Sequence, residues 1–201
     1  MPSGLTLAQL ETRIKNTLAA SAPTTHWAVA SIDEAITLAL EEYSRAKPYT
    51  AISTITPTTR EFTVTGLPNV LGLTKVWYPY TAATPEYPPA YIDYEFWFDQ
   101  GTPKVLLHTP AVPDGVKVAR IWYNTLHTLN GLAGAGATTW LASDDGILEM
   151  GACGYCCLQR STELDETIAN MAVSTPNYGA LAGLFFDRFH AMLFASRGVV
   201  L

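Results

Sequence analysis

The sequence is short of charge. Asp, Glu, Lys and Arg make up 15% of its 201 residues, and twelve basic side chains face eighteen acidic ones, a net charge of −6. A protein whose main task is gripping phosphates carries a basic excess, so direct nucleic-acid affinity is disfavoured. An acidic protein can still border a path that DNA crosses without sticking. Sparse surface charge also implies that partners cover part of the surface. Long apolar runs are missing too. No stretch reaches the roughly 18 residues a membrane-spanning helix needs, and LFFDRFHAMLF is interrupted by Asp187, Arg188 and His190. The N-terminal MPSGLTLAQLETR has no basic region followed by an apolar run, so it does not read as a signal peptide. The expectation is a soluble protein made in a cytoplasm, with no membrane contact. What is present is core material: hydrophobic residues are 48% of the chain, which argues against general disorder.

Cysteine is scarce and clustered. Cys153, Cys156 and Cys157 all fall within SDDGILEMGACGYCCLQRS, so there is no disulfide framework. Cys153-Gly154-Tyr155-Cys156 has the spacing of a redox motif or half a zinc site. A structural zinc needs a second ligand pair. There is no second CxxC, and His26, His108, His127 and His190 form no HxxxH-type pair. A redox CxxC sits at a helix N-terminus, whereas Cys153 follows about two helical turns. With Gly151, Ala152 and Gly154, the thiols read as small residues for close helix packing; metal or redox use is the alternative.

Other catalytic signatures are missing. GLAGAG at 131–136 is spaced GxxGxG and lacks a following GKS or GKT, so it reads as a hinge rather than a phosphate loop. GxSxG, HExxH and kinase motifs are absent. The acid pairs Asp144/Asp145 and Asp165/Glu166 read as helix-start acids before catalytic ones. His108 and His127 sit in strand patterns, as hydrogen-bonded core or edge residues. The expectation is a protein that is not an enzyme, with no catalytic residue, cofactor or metal.

The organisation is helix, sheet, helix. Thr6 with Gln9, and Ser31 with Glu34, are capping-box patterns. They precede the apolar stripes Leu7, Leu10, Ile14, Leu18 and Ile32, Ile36, Leu40, Tyr43. Pro48 limits the second helix. From about residue 49 the period drops to two. TREFTVTG, LTKVWYPY, YIDYEFWF, KVLLH and VKVARIWYNTLHTL read as strands of one antiparallel sheet of about five. In YIDYEFWF, Ile92, Tyr94, Phe96 and Phe98 take one face. DQG at 99–101 and PDG at 113–115 are turns. GLAGAGATTW is a flexible connector. Ser143, Asp144 and Asp145 then cap a cysteine helix over 145–161, followed by a short helix in TELDETIANMAV. A last helix ends at Gly198, with an apolar face of Leu181, Leu184, Phe185, Phe189, Met192 and Leu193. The fold class is α+β: a bundle of four to five helices from both chain ends, at 1–47 and 141–201, with an antiparallel β insertion at 48–140. The acids concentrate at the end. Residues 143–201 hold Arg160, Arg188 and Arg197 against seven acidic side chains, a surface suited to a channel wall, a basic partner or plain solvent. The many aromatics of the β block keep open a carbohydrate-binding module.

Three segments together resemble the head-to-tail adaptor (connector, neck) proteins of tailed bacteriophages. Ala39-Leu40-Glu41-Glu42-Tyr43-Ser44 is similar to that family's "ALxxYS" helix end. Tyr123 to His127 is similar to its "YxxxH" strand end, and Leu148-Glu149-Met150-Gly151-Ala152 to its "LxxGA" helix. The resemblance covers most of the chain. It implies a virion structural protein of the neck, between capsid and tail, forming a ring that is typically dodecameric and frames the DNA ejection channel. The implied partners are further copies of itself, the portal protein, and the next neck or tail component. DNA would pass without sequence-specific binding. The implied portal-docking tail is Arg197, Gly198, Val199, Val200 and Leu201, with Ser196 before it. A tail-terminator protein of the same neck is the nearest alternative.

Overall fold

The computed structural model describes residues 1–19, 27–64, 66–67, 69–85, 87–168 and 177–195. The protein is α+β, with four α-helices and two small antiparallel sheets among the described residues. It divides into two compact units, Met1–Lys47 with His127–Leu201, and Pro48–Leu126.

The first unit is helical: α1 (Leu7–Ala19), α2 (Val29–Ala46), α3 (Asp145–Ile168) and α4 (Tyr178–Ala195). Their apolar stripes meet in one core. Leu10, Ile14 and Leu18 of α1 are fully buried, as are Ile32, Ala35 and Ala39 of α2. Burying each such aliphatic side chain contributes about 1.5–3 kcal/mol before entropy. From α4, Tyr178, Ala182, Phe185, Phe189 and Leu193 enter the same core. Leu184, placed on that face from the sequence, is 60% exposed instead, and Met192 is exposed as well. Nearly every α4 residue is apolar, so its sequence does not single out the inward face.

Helix starts follow the sequence in one case and depart from it in another. At α1 the Thr6 N–H donates to Gln9 Oε1 (2.9 Å), and the Gln9 N–H to Thr6 Oγ1 (3.4 Å), a closed capping box. The Ser31–Glu34 box does not form. α2 begins at Val29, after Ala28 in extended conformation, and Ser31 lies inside the helix. Buried Trp27, edge-on to Tyr178 at 5.8 Å, fixes the chain just ahead of that earlier start.

Two further expectations change in this unit. α3 runs unbroken to Ile168, where a break near 161 was expected. Thr162 Oγ1 bonds back to the Leu158 carbonyl, Arg160 pairs with Glu163 at 2.8 Å, and no Pro or Gly interrupts the turn. The remainder of TELDETIANMAV lies outside the described residues. The segment 127–140, placed from the sequence in the β insertion as the end of a strand pattern and the flexible connector 131–140, belongs to the helical unit. It is strapped to the N-terminus: Leu7 N–H to the Asn130 carbonyl (2.9 Å), Ser3 N–H to the Trp140 carbonyl (2.7 Å), and Thr138 Oγ1 to the Leu5 carbonyl (2.6 Å). Trp140 is fully buried. The glycines serve the turn: Gly131 (φ 95°) and Gly134 (φ 78°) take conformations that cost other residues energy.

Among its described residues the second unit holds six strands: β1 (Tyr49–Ile55), β2 (Glu61–Thr63), β3 (Val70–Tyr80), β4 (Tyr94–Asp99), β5 (Thr102–Leu107) and β6 (Val118–Thr125). They form two three-stranded sheets, ordered β1-β6-β3 and β2-β5-β4, rather than one sheet of five. β4 and β5 make the expected hairpin, with Gln100 and Gly101 both at positive φ in its turn. β5 then pairs with β2, and β6 with β1 and β3, so the chain changes sheet across the PDG turn. The inner faces of both sheets share a core of Val76, Tyr78, Val105, Leu107, Ile121 and Tyr123. Ile92, Tyr94 and Phe96 pack against it, but Phe98 is exposed at the end of β4.

Candidate functional site

The cysteine helix lies in the helical core. Cys153, Cys156 and Cys157 are free and buried. An added Cβ on Gly151 would come within 3.0 Å of the Phe189 ring and 3.1 Å of the Ala39 Cβ; on Gly154, within 3.0 Å of the Phe186 ring. The small residues of α3 therefore let α2 and α4 approach closely. Burial pushes the Cys157 thiol up to about 11 and Cys156 to about 12, with Cys157 adding to the latter. Cys153 is raised further, by burial first and then by Cys156 and Glu149. A nucleophile or metal ligand needs thiolate character, and these surroundings oppose it. Packing is the role the geometry supports.

Asp144 and Asp145, read from sequence as capping acids, bind distant groups. Asp144 sits in a 3-10 turn (Ala142–Asp144) ahead of α3. Its Oδ2 accepts the Tyr43 hydroxyl (2.6 Å) and the Lys47 ammonium (2.8 Å), and its Oδ1 the Ser143 hydroxyl (2.9 Å). Burial pushes this carboxyl up, but the bonds from Lys47, Tyr43 and Ser143 together outweigh it and hold it below the ordinary value. Asp145 Oδ1 accepts Ser3 Oγ (2.7 Å) and Trp140 Nε1 (2.9 Å), and Arg13 lies 3.7 Å from its Oδ2. Asp165 and Glu166 lie on the last turns of α3, with side chains outside the described residues.

The histidines are structural in their contacts. His127 is buried past the end of β6, not within a strand. Its Nε2 donates to the Lys47 carbonyl (2.9 Å), so Nδ1 accepts from the Thr139 hydroxyl (2.9 Å). Burial holds its pKa below the ordinary value, with the nearby Lys47 charge acting the same way. Its backbone N–H donates to Ser44 Oγ (2.9 Å), whose hydroxyl turns back to the Leu40 carbonyl. His190 on α4 meets Glu42 at 2.7 Å, and the same carboxylate accepts the Tyr155 hydroxyl at 2.8 Å. His108 pairs with Glu95 at 3.1 Å on the surface of the second unit. His26 and the tail Arg197, Gly198, Val199, Val200 and Leu201 lie outside the described residues.

One surface went unread in the sequence. The outer face of the β1-β6-β3 sheet presents Thr50, Ile52 and Thr54 beside Arg120, Trp122 and Asn124, with Lys75 on β3 and Tyr91 on a segment bridged to Trp77 of β3. Arg120 Cζ lies 5.0 Å from the Tyr80 ring centre and 5.2 Å from that of Trp122, and Nη1 donates to the Tyr80 hydroxyl (3.2 Å). Lys75 Nζ is 5.5 Å from the Tyr91 ring, and Tyr91 meets Trp122 edge-on at 5.9 Å. Arg and aromatic residues alternating along VARIWY were the available signal. Sugar binding needs a free ring face flanked by polar groups. Here the Tyr80 and Trp122 rings already hold a guanidinium.

No family model matches this chain, and the search of curated proteins finds no match.

Proposed function

We propose that this chain is a head-to-tail adaptor of a tailed bacteriophage. It is a virion structural protein of the neck, without catalysis or cofactor, forming a ring between the portal and the next neck or tail component. The observation that carries the reading is the assembly of one helical unit from two chain segments, Met1–Lys47 and His127–Leu201, with the β unit between them in sequence. That is the element order the family resemblance implies. In this reading α1 to α4 are one bundle, and the motif residues have jobs within it. Tyr43 and Ser44 of the "ALxxYS" end bind Asp144 and His127, and Gly151 of "LxxGA" seats Phe189.

Surface chemistry supports the same reading. α4 leaves Leu184 and Met192 exposed, which suits a protein completed by neighbours. The acid excess of the helical unit suits a channel that DNA crosses without adhering. A terminator, mostly β with one main helix, fits four α-helices poorly. The carbohydrate module is weakened by the cation-filled rings of the β1-β6-β3 face.

Electron microscopy of the purified protein mixed with portal tests the proposal. Rings stacked on the portal are the expected image. Free portals beside unassociated protein reject it. A chain ending at Ser196 should keep its fold and lose affinity for the portal; undiminished binding rejects docking by Arg197–Leu201.

A further inference from the structure

The β1-β6-β3 sheet contains two charged residues, Lys75 and Arg120, and both are basic. This is unusual in a chain of net charge −6. Both lie on the outer face, since Lys75 is in register with Trp122, and Arg120 alternates with the buried Ala119 and Ile121. Neither makes an ion pair with a carboxylate among the described residues; their neighbours are the rings of Tyr80, Trp122 and Tyr91. Held against two rings and bonded to the Tyr80 hydroxyl, the Arg120 fork is restricted in advance, which lowers the entropy cost of binding a carboxylate. Tyr91 is 50% exposed and Ile52 51%. Trp, Tyr and Arg in a preorganised patch are the composition of an interface hot spot.

The helical unit presents the opposite chemistry. The first turns of α2, from Val29 to Leu38, contain Asp33 and Glu34 and no base. Val29 and Leu38 are exposed, as is Glu34, and one oxygen of Asp33 is shielded without a hydrogen-bond partner. Neither acid has an ion-pair partner among the described residues. Glu34 and Leu38 are four residues apart on one helix face, about 6 Å along the axis. Arg120 and Trp122 are separated by two strand residues, about 6.6 Å. A carboxylate on Arg120 and an aliphatic side chain on Trp122 and Ile52 are thus in register.

We propose that the outer face of the β1-β6-β3 sheet is a docking surface for a second copy of this chain, and that it receives the N-terminal half of α2 through Glu34 and Asp33. The two surfaces differ, so the contact is head-to-tail. Such contacts generate rings when the rotation closes, and open chains otherwise. The inference rests on the ring reading above and names the interface that would build it.

Charge reversal with rescue tests it, read as oligomer mass by sedimentation, both alone and on portal. Arg120→Glu and Lys75→Glu, singly, should raise the concentration for half-assembly about tenfold or more, because like charges replace attraction. Glu34→Lys with Asp33→Lys should do the same. Mixing the reversed sheet with the reversed helix should recover assembly. Lys75→Glu guards against misfolding, since Lys75 is exposed and touches one ring; equal melting temperatures complete that control. If the native protein assembles and all reversals assemble equally, this interface is wrong and the ring reading stands. If weakened variants are not rescued by mixing, α2 is not the occupant and the proposal falls. If the native protein associates with neither itself nor portal, both readings fall.

Discussion

The Tyr43 hydroxyl donates a 2.6 Å hydrogen bond to Asp144, 101 residues further along the chain. The bond ties the end of α2 to the turn before α3, from opposite sides of the β insertion. Lys47 closes on the same carboxylate oxygen, and its ammonium lies 5.6 Å from the centre of the Tyr43 ring. Lys47 and His127 are the two residues of the helical unit at which its two chain segments are interrupted. The Lys47 carbonyl also accepts from His127.

Removing the shared acceptor should therefore cost more than removing one donor. Asp144→Ala removes the carboxylate that both Lys47 and Tyr43 bond and should lower unfolding free energy by about 2–4 kcal/mol. Tyr43→Phe leaves Asp144 with Lys47 and Ser143 and should cost about 1–2 kcal/mol. Urea unfolding at constant slope measures both.

Acid should weaken the fold in two separable steps. His127 is held neutral below its ordinary pKa. As pH falls through about 6.5, the unfolded chain takes up a proton the folded chain refuses, and stability drops. Asp144 is also held below its ordinary value. Its contribution is complete above about 3.9 and is lost as pH falls through the lower folded value. His127→Gln should flatten stability between pH 7 and 5, and Asp144→Asn should flatten it below about 4, when unfolding is followed across pH.

Gly151 and Gly154 should respond differently to alanine. In a helix interior Gly→Ala gains about 1 kcal/mol. At Gly151 the new methyl presses on two core groups, the Phe189 ring and the Ala39 Cβ. Overpacking of about 1–3 kcal/mol outweighs that gain. At Gly154 it meets the Phe186 ring alone, which is half-buried and able to tilt. Gly151→Ala should lower the melting temperature, and Gly154→Ala should leave it unchanged or raise it.

The thiols should be silent in the native protein. With Cys156 near 12 and Cys157 near 11, alkylation at pH 8 should label none of the three until denaturant is added. Cys153→Ala with Cys157→Ala should cost about 1–3 kcal/mol of packing and leave assembly unchanged. Rapid native labelling, or a metal lost on mutation, would contradict the packing role.

What was legible in the sequence was what local pattern encodes. The α1 capping box, the buried stripe Leu10, Ile14, Leu18 and the DQG hairpin follow from residues within a turn or two of each other. The missed features depend on partners far away. Whether β5 pairs with β2 or β6 is set by facing cores, and β1, a short strand of small and hydroxyl residues at a sheet edge, gave little alternation. Trp27 moved the α2 start by packing on Tyr178. Ser3 and Trp140 took Asp145 from a capping role to a tertiary one. Arg120 showed its character only when β3 brought Tyr80 beside it.

The central claim is assembly without chemistry, and the mass of the purified protein, measured alone and with portal, tests it most directly. The account predicts a discrete high-order species, a closed ring in solution or on the portal. A monomer that associates with neither itself nor portal at any accessible concentration would contradict it.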